Sequence, residues 1–297
     1  MHSNKHSRNC PICANNTTST FHTFGEYRVV CCSMCGFAFQ NPIYDAEHYH
    51  SLPCHYPEDY FQHSVNRGSY IYRFLKDFIR RDSKVDVLDI GAGRCEPLKY
   101  ILNAGFSGHH AYKDKNSYRG TAITMEPRDS IYWADKWNMD ILFFDFEDDV
   151  KTNEFIENNR NKFDFIIMSH VLEHFINPSK VIQKLPELLA PNGVVYVEVP
   201  SLYNGEYRIK SVWTPEHLSY FTLSSLNDLM KSCGFTSLKI CDSKIWGNIK
   251  SVWKYTDNTN NNFVAEINVK NRYNKNKIKK SIQRMKHKLG FKYEANI

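Results

Sequence analysis

The sequence predicts an α/β protein built on a parallel sheet, with a small metal-stapled module ahead of it and a basic helical tail behind. Three observations carry this. Val85, Val87, Leu88 and Ile90 form a short β-branched-rich run that ends in Asp89-Ile90-Gly91-Ala92-Gly93 and passes into Pro97, Leu98, Ile101 and Leu102 at helical spacing. Further strand-like runs alternate with helical patterns to about Phe235, as strand–helix–strand units do. Two Cys-x2-Cys pairs stand within the first 35 residues.

The chain has 297 residues, enough for one large domain and a smaller module. A hydrophobic fraction of 42% and an aromatic fraction of 14% supply a sizeable core. No apolar run approaches the length of a membrane span, and Met1 to Asn9 is polar, unlike a signal peptide. The expected location is therefore the cytoplasm. There, nine cysteines point to metal ligands or buried thiols and not to disulfides.

Cys10-Pro-Ile-Cys13 and Cys32-Ser-Met-Cys35 are two knuckles whose spacing fits a four-thiolate zinc site. Phe21 to Val30 between them reads as a β-hairpin, giving a zinc ribbon over residues 1–45. Cys31 competes with Cys32, but Cys32 keeps the two-residue spacing to Cys35. Four protein ligands leave no open position, so the zinc is expected to be structural. Residues 46–84 read as a connector and a capping helix, with Ile71, Phe74, Leu75, Phe78 and Ile79 on one helical face. His48, His50, His55 and His63 are irregularly spaced and read as surface histidines.

The glycines of the central run sit where a strand stops and a helix starts, so a ligand can approach bare backbone and unpaired N–H groups. Gly105 suits the end of that helix, and Ser107 to Gly120 reads as a long loop or insertion. A second strand, Ala122 to Met125, closes on Glu126, a position that accepts ribose hydroxyls in doubly wound nucleotide-binding folds. Ile141 to Phe144 is a third strand, ending in Asp145-Phe146. Phe163 to Met168 is a fourth, running into Ser169-His170-Val171-Leu172-Glu173-His174. Asn177-Pro178 then caps a helix in which Pro186 is expected to make a kink or a break. Pro191-Asn192-Gly193 turns into a fifth strand, Val194 to Val199. Thr222 suits the N-cap of a later helix and Gly234 its stop, with Phe235–Cys241 and Ile245–Tyr255 as final strands.

The pattern Asp89-x-Gly91-x-Gly93, the acid-ended strands and the Leu172-Glu173-His174 turn together resemble class I S-adenosylmethionine (SAM)-dependent methyltransferases, from Val85 to about Phe235. The resemblance implies a seven-stranded Rossmann-like sheet, in a domain of residues 85–256, whose last two strands form an antiparallel hairpin. It implies SAM as cofactor, held by Asp89, Gly91, Ala92, Gly93, Glu126, Asp145, Phe146 and His170. The sequence departs from the pattern at Cys95, where the family has a third glycine.

A zinc ribbon followed by Glu216-His217 is similar to zinc-containing sugar C-methyltransferases, which act on nucleotide-linked keto-sugars. That similarity implies Glu216 to hold or polarise a substrate oxygen and His217 as general base, with His174 a further catalytic candidate. Those enzymes carry a further C-terminal domain that this chain largely lacks, which leaves O-methylation open. The expected function is methyl transfer to a small-molecule acceptor: a sugar, nucleotide-sugar or surface-glycan intermediate. An RNA-directed methyltransferase and a non-catalytic zinc-ribbon interaction protein are the alternatives.

Residues 257–297 change character: Asp257 to Asn274 reads as an Asn-rich flexible linker or ragged surface segment, and the whole tail carries ten basic and three acidic residues. Its charge of +7, against +6 for the chain, leaves the body at −1, so nucleic acid is not an expected partner. Ile278, Ile282, Met285 and Leu289 share a helical face. That face is read first as packing on the body or a partner, and second as touching an anionic membrane or polyanion.

Overall fold

The computed structural model describes residues 4–52, 60–78, 84–108, 118–126, 139–203, 212–242, 247–259 and 269–276. The cysteine module opens with β1 (Lys5–His6), followed by the antiparallel hairpin β2 (Thr18–Phe24) and β3 (Tyr27–Cys32). The hairpin is longer than the sequence suggested and carries Cys32 at its end, because the strand pairing reaches back to Thr18. β4 (Ala38–Gln40) pairs with β3, and β5 (Ile43–Tyr44) with β1. A short α1 (Ala46–His50) leads to α2 (Tyr60–Leu75), which buries Ile71 and Leu75.

The sheet proper begins at β6 (Val85–Ile90). It continues through α3 (Glu96–Gly108), β7 (Tyr118–Thr124), β8 (Met139–Phe143), α4 (Asp149–Asn158), β9 (Phe163–Ser169), α5 (Pro178–Leu188) and β10 (Leu189–Pro200). After β11 (Ser219–Tyr220) and α6 (Leu223–Ser232), β12 (Phe235–Asp242) and β13 (Asn248–Tyr255) complete it. The seven-strand order is β12-β13-β10-β9-β6-β7-β8. β6 to β10 pair in parallel, while β13 runs antiparallel to both β10 and β12. This is the expected seven-stranded sheet with its antiparallel hairpin.

Strand alternation divides the core between two faces. Leu88 and Ile90 pack with Ile182 and Leu185 of α5 and with Leu226 and Leu229 of α6. Val85 and Val87 face the other way, against Ile71 of α2 and Leu98 and Leu102 of α3. The helices α2 and α3 lie close because position 68 has no side chain. A Cβ on Gly68 would sit 2.7 Å from Tyr100 Cβ and 2.8 Å from Pro97 O.

Several local expectations change. α3 extends to Gly108, past Gly105, and β7 starts at Tyr118, so the supposed loop carries regular structure at its two ends, and 109–117 lie outside the described residues. β7 is recruited as far as Tyr118 by ladder bonding to β6. α5 runs through Pro186 unsplit and stops two residues later, where few i→i−4 bonds remain to lose. Its cap is as read: Asn177 accepts from Lys180 N, with Pro178 next. Thr222 and Ser225 form a reciprocal capping box on α6, and Gly234 follows at φ +83°.

The Asn-rich segment is not a linker throughout. Residues 269–276 are helical and dock on the cysteine module, burying Val269 and Tyr273. Trp213 Nε1 donates to Tyr273 OH (3.2 Å), and the Phe21 and Tyr273 ring centres lie 5.6 Å apart. Ile79, His55, the side chain of His63, and the apolar stripe from Ile278 to Leu289 lie outside the described residues. Among the described residues no helix is long and apolar enough to cross a membrane, and all eight described cysteines are free thiols.

Candidate active site

The C-terminal ends of β6, β7 and β8 form one end of the site. Gly91 and Gly93 adopt φ of +73° and +52°, and Gly91 N and Ala92 N both donate to Ile123 O. Thr124 Oγ1 donates to Gly93 O at 2.9 Å, fixing the glycine turn to the end of β7. The space a Cβ would fill at Gly91 belongs to Val171, whose Cγ2 would be 2.3 Å away. The bare backbone at Gly91 therefore admits the loop after β9 as well as offering a surface to a ligand. Cys95, which replaces a third glycine, is fully buried at φ +65°, a conformation that costs a side chain about 1 kcal/mol or more.

Asp89 ends β6 with 3% exposure, and burial pushes its carboxyl up to about 7. The facing charge of Arg67 from α2 opposes that shift. Past the ends of β7 and β8 lies a pocket of about 870 Å³ lined by Met125, Glu126, Phe144, Asp145, Ile176 and Lys180, among others; Asp89, Gly91, Ala92, Gly93 and His170 do not line it. Its size suits a nucleoside-sized ligand. Glu126 and Asp145 thus share one cavity at neighbouring strand ends. Phe146 does not join them: it is 2% exposed and packed in the core, and Phe143 and Phe144 take the lining instead. His50 is exposed, as read, and its Nε2 lies 3.2 Å from Asp145 Oδ2 at the pocket's edge.

The centre of the site is a buried polar network that sequence reasoning missed. Glu198, 2% exposed, accepts from Ser169 Oγ (3.2 Å), Tyr196 OH (3.0 Å) and Asn248 Nδ2 (2.9 Å), with Lys250 Nζ at 3.6 Å. Burial pushes its carboxyl up, but His170, Lys250 and Arg67 together hold it well below the usual range. His170, at φ +55°, stands between two carboxylates: Nδ1 is 3.4 Å from Glu173 Oε1 and Nε2 is 3.7 Å from Glu198 Oε1. Burial lowers its pKa, yet the two acids outweigh this and the net shift is upward. A signal existed: Glu198 is a carboxylate inside the apolar run Val194–Val199, which a doubly covered strand does not tolerate unpaired.

The other end of the site is built from two loops. A single 3₁₀ turn, Leu172–His174, follows β9, and residues 212–218 precede β11. They bring Glu173, His174 and His217 together, with one ligand-type atom from each lying within 4.8 Å of the others. The two imidazole centres are 5.0 Å apart at 67°. His174 Nδ1 meets Glu216 O at 2.9 Å, and His217 Nδ1 meets Val212 O at 3.0 Å. Burial, then the charge of His174, pushes His217 down to about 4. Glu216 contributes its carbonyl here, and its side chain is half-buried nearby. Glu173, to which sequence alone assigns no role, is the buried member at 1% exposure.

The cysteine module holds this end in place. β11 pairs antiparallel with β4, extending the module's sheet to four strands. Gln40, fully buried on β4, donates Nε2 to the carbonyls of Pro215 and His217, both at 2.8 Å. Arg8 donates to Gln40 O (3.1 Å), Leu218 O (2.9 Å) and Ile176 O. Burial lowers Arg8 only to about 10, so it stays charged at neutral pH. In the module itself, Cys10, Cys13, Cys32 and Cys35 converge, with Sγ–Sγ distances of 3.5 to 3.6 Å for Cys10–Cys35, Cys13–Cys32 and Cys13–Cys35. Tetrahedral zinc with 2.3 Å bonds sets sulfurs about 3.8 Å apart, so the donor set and spacing fit that ion. Cys31 turns away to Gly36 O at 3.3 Å, which settles the competition in favour of Cys32.

A family model described as a methyltransferase domain matches residues 61–240. Among solved structures, the trans-methyltransferase CalH in complex with S-adenosylhomocysteine (SAH) is 16% identical, over 67% of this chain and 60% of that one, with a TM-score of 0.51. A Pyrococcus horikoshii protein is 14% identical, over 71% of this chain and 99% of that one, with a TM-score of 0.50. At such identities the likeness is one of fold. No curated protein matches the chain. The match across residues 61–240, on a sheet of this order with a glycine turn at the end of its central strand, makes the chain a member of the methyltransferase domain family and a class I SAM-dependent enzyme.

Proposed function

We propose that the enzyme methylates a small-molecule acceptor: a sugar, nucleotide-sugar or surface-glycan intermediate, on oxygen or on an acidified carbon. The observation that carries this reading is the Glu173–His174–His217 cluster. Glu173 and His174 stand on the loop after β9, next to the strand that carries the glycine turn, and His217 joins them from the loop before β11. Bound SAM supplies a methyl group on a sulfonium, so the donor needs little further activation. Glu126 accepts ribose hydroxyls and Asp145 the adenine amino group, since both acids line the same cavity. The turn of Gly91, Ala92 and Gly93 approaches the ligand through backbone, and Asp89 gains a counter-charge from a cationic ligand. His170 is placed less to touch the cofactor than to link Glu173 with Glu198.

The acceptor loses its proton at the cluster. His217 Nε2 receives it, because Nδ1 already carries the hydrogen given to Val212 O. Glu216 holds an acceptor oxygen from the same loop. The four cysteines hold a structural zinc, and its role is to fold the module that Gln40 uses to grip the His217 loop.

Calorimetric titration with SAH tests the cofactor site: micromolar binding is expected, and Gly93→Arg abolishes it. With labelled SAM and nucleotide-sugar acceptors, His217→Ala is expected to lower turnover by about 10²-fold at unchanged SAH affinity. No SAH binding by the folded protein would overturn the reading.

A further inference from the structure

Four features of the Glu173–His174–His217 cluster go beyond a proton-transfer site. First, both rings have a fixed tautomer. A carbonyl oxygen only accepts, so His174 Nδ1 and His217 Nδ1 must each carry the hydrogen they share with Glu216 O and Val212 O. The two Nε2 atoms are thereby left with lone pairs, as in metal-binding histidines, whose other ring nitrogen usually donates to a carbonyl or carboxylate. Second, neither carboxylate oxygen of Glu173 has a hydrogen-bond partner among the described residues, although the side chain is 1% exposed. His170 Nδ1 at 3.4 Å gives that carboxylate a nearby charge without a hydrogen bond. Three electron-rich atoms therefore lie together with the carboxylate wholly buried, a costly arrangement unless a cation joins them.

Third, the spacing suits an ion. Two imidazoles on one metal, with bonds of about 2.1 Å, have ring centres about 5 Å apart at a near-tetrahedral angle. The observed separation is 5.0 Å. His174 Nε2 lies 4.0 Å from Glu173 Oε1, so rotations of side chains suffice to close the set. Fourth, the site is open on one side. The His174 side chain is 36% exposed, so three protein ligands leave coordination positions that face out of the protein.

We propose that Glu173, His174 and His217 form a second metal centre, separate from the four cysteines, that takes a divalent transition ion through two imidazoles and one carboxylate. Such a donor set suits zinc, manganese or iron(II) and leaves sites for water or an acceptor oxygen. Ion binding itself is independent of the functional reading above, whereas the ion's role rests on it. An acceptor hydroxyl coordinates the ion, and an ion-bound hydroxide takes the hydroxyl proton and departs as water. The alkoxide oxygen then forms a bond to the methyl carbon as the carbon–sulfur bond breaks, giving a methyl ether and neutral SAH. His217 Nε2 becomes a ligand in this state, and its role as base passes to the hydroxide.

The test is equilibrium metal binding by the full chain, with SAH titration on the same samples. Cobalt(II) serves as probe, because ions on the cysteines show thiolate charge-transfer bands and ions on nitrogen and oxygen do not. A second equivalent is expected at micromolar cobalt, with d–d bands but no added thiolate band. Glu173→Gln and His174→Ala should each weaken that equivalent at least tenfold while leaving the cysteine-bound ion in place. His174 is half-exposed, so its variant reports even where Glu173→Gln fails to fold. Saturation at one equivalent by folded, SAH-binding protein would overturn the metal proposal and leave the methyltransferase reading intact. A second equivalent that persists in both variants would overturn it equally. A second equivalent lost in the variants, in protein that never binds SAH, would support the centre and sink the methyl-transfer reading instead.

Discussion

The two clusters of ligand-type side chains are opposites in construction. The four cysteines come from two short knuckles joined by one hairpin, and they enclose their centre on all sides. Glu173, His174 and His217 come from two loops over forty residues apart in sequence, and they leave one side open. A centre of the first kind suits a structural role and one of the second kind suits chemistry. The second also depends on the first, since Gln40, Arg8 and β4 of the cysteine module hold the 212–218 loop by its carbonyls and by β11.

That dependence is asymmetric, and breaking it gives the largest expected effect. Cys32→Ser should release the zinc, expose the module to protease and abolish turnover, because structural zinc binding and folding are one free energy, about 10 kcal/mol or more. Zinc content and limited proteolysis check this. Cys31→Ser, whose thiol points to Gly36 O, should keep both zinc and fold. His217→Ala should leave the cysteine-bound zinc and module protection unchanged.

At the cofactor end, independent of the module, Asp89 gives a pH test. Burial raises its carboxyl from 3.8 to about 7, so the native apo protein binds a proton more tightly than the unfolded chain. Stability is therefore lost as pH rises through that window, by up to about 4 kcal/mol. Asp89→Asn should flatten the fall in urea midpoint between pH 5 and pH 8 while weakening SAH binding. Wild-type midpoints that rise across this range would refute the assignment.

Gly91→Ala should cost about 1–3 kcal/mol, since it meets Val171 at 2.3 Å from a left-handed backbone. Adding Val171→Ala should recover part of that loss in thermal melts, because it removes the 2.3 Å contact with Cγ2 and leaves the 2.7 Å contact with Cβ and the backbone strain. The finest cut is Gln40→Ala. It removes two hydrogen bonds to the His217 loop and should lower turnover about tenfold at unchanged SAH affinity and zinc content. Equal loss of SAH affinity would mean that Gln40 supports the whole fold and not the loop.

Much of this was legible in the sequence for a simple reason: the informative residues were neighbours. Asp89 to Gly93, the two cysteine knuckles, the Asn177-Pro178 cap and the Thr222 cap each act within one turn or one strand end, where pattern and geometry coincide. Strand ends fared worse. Tyr118 joins β7 through ladder bonds to β6 that no local pattern announces. Phe146 looked suited to the cofactor pocket beside Asp145, yet the chain turns it into the core and leaves the lining to Phe144. The residues at 269–276 have a linker's composition, but Tyr273 finds Phe21 and Trp213 across the fold, and burying those rings outweighs weak local preference.

The sequence by itself determined the α/β class, the glycine turn, the acid at each of three strand ends and the four thiols. These are set by short-range spacing, which a chain carries before it folds. Only the tertiary structure decided that Gln40 grips the His217 loop, that Glu198 gathers Ser169, Tyr196 and Asn248, and that Glu173 lies between two histidines without a hydrogen-bond donor among the described residues. Each joins segments far apart in the chain. What selects them is the cost of leaving a buried polar atom unpaired, and that cost exists only once the sheet has closed around it.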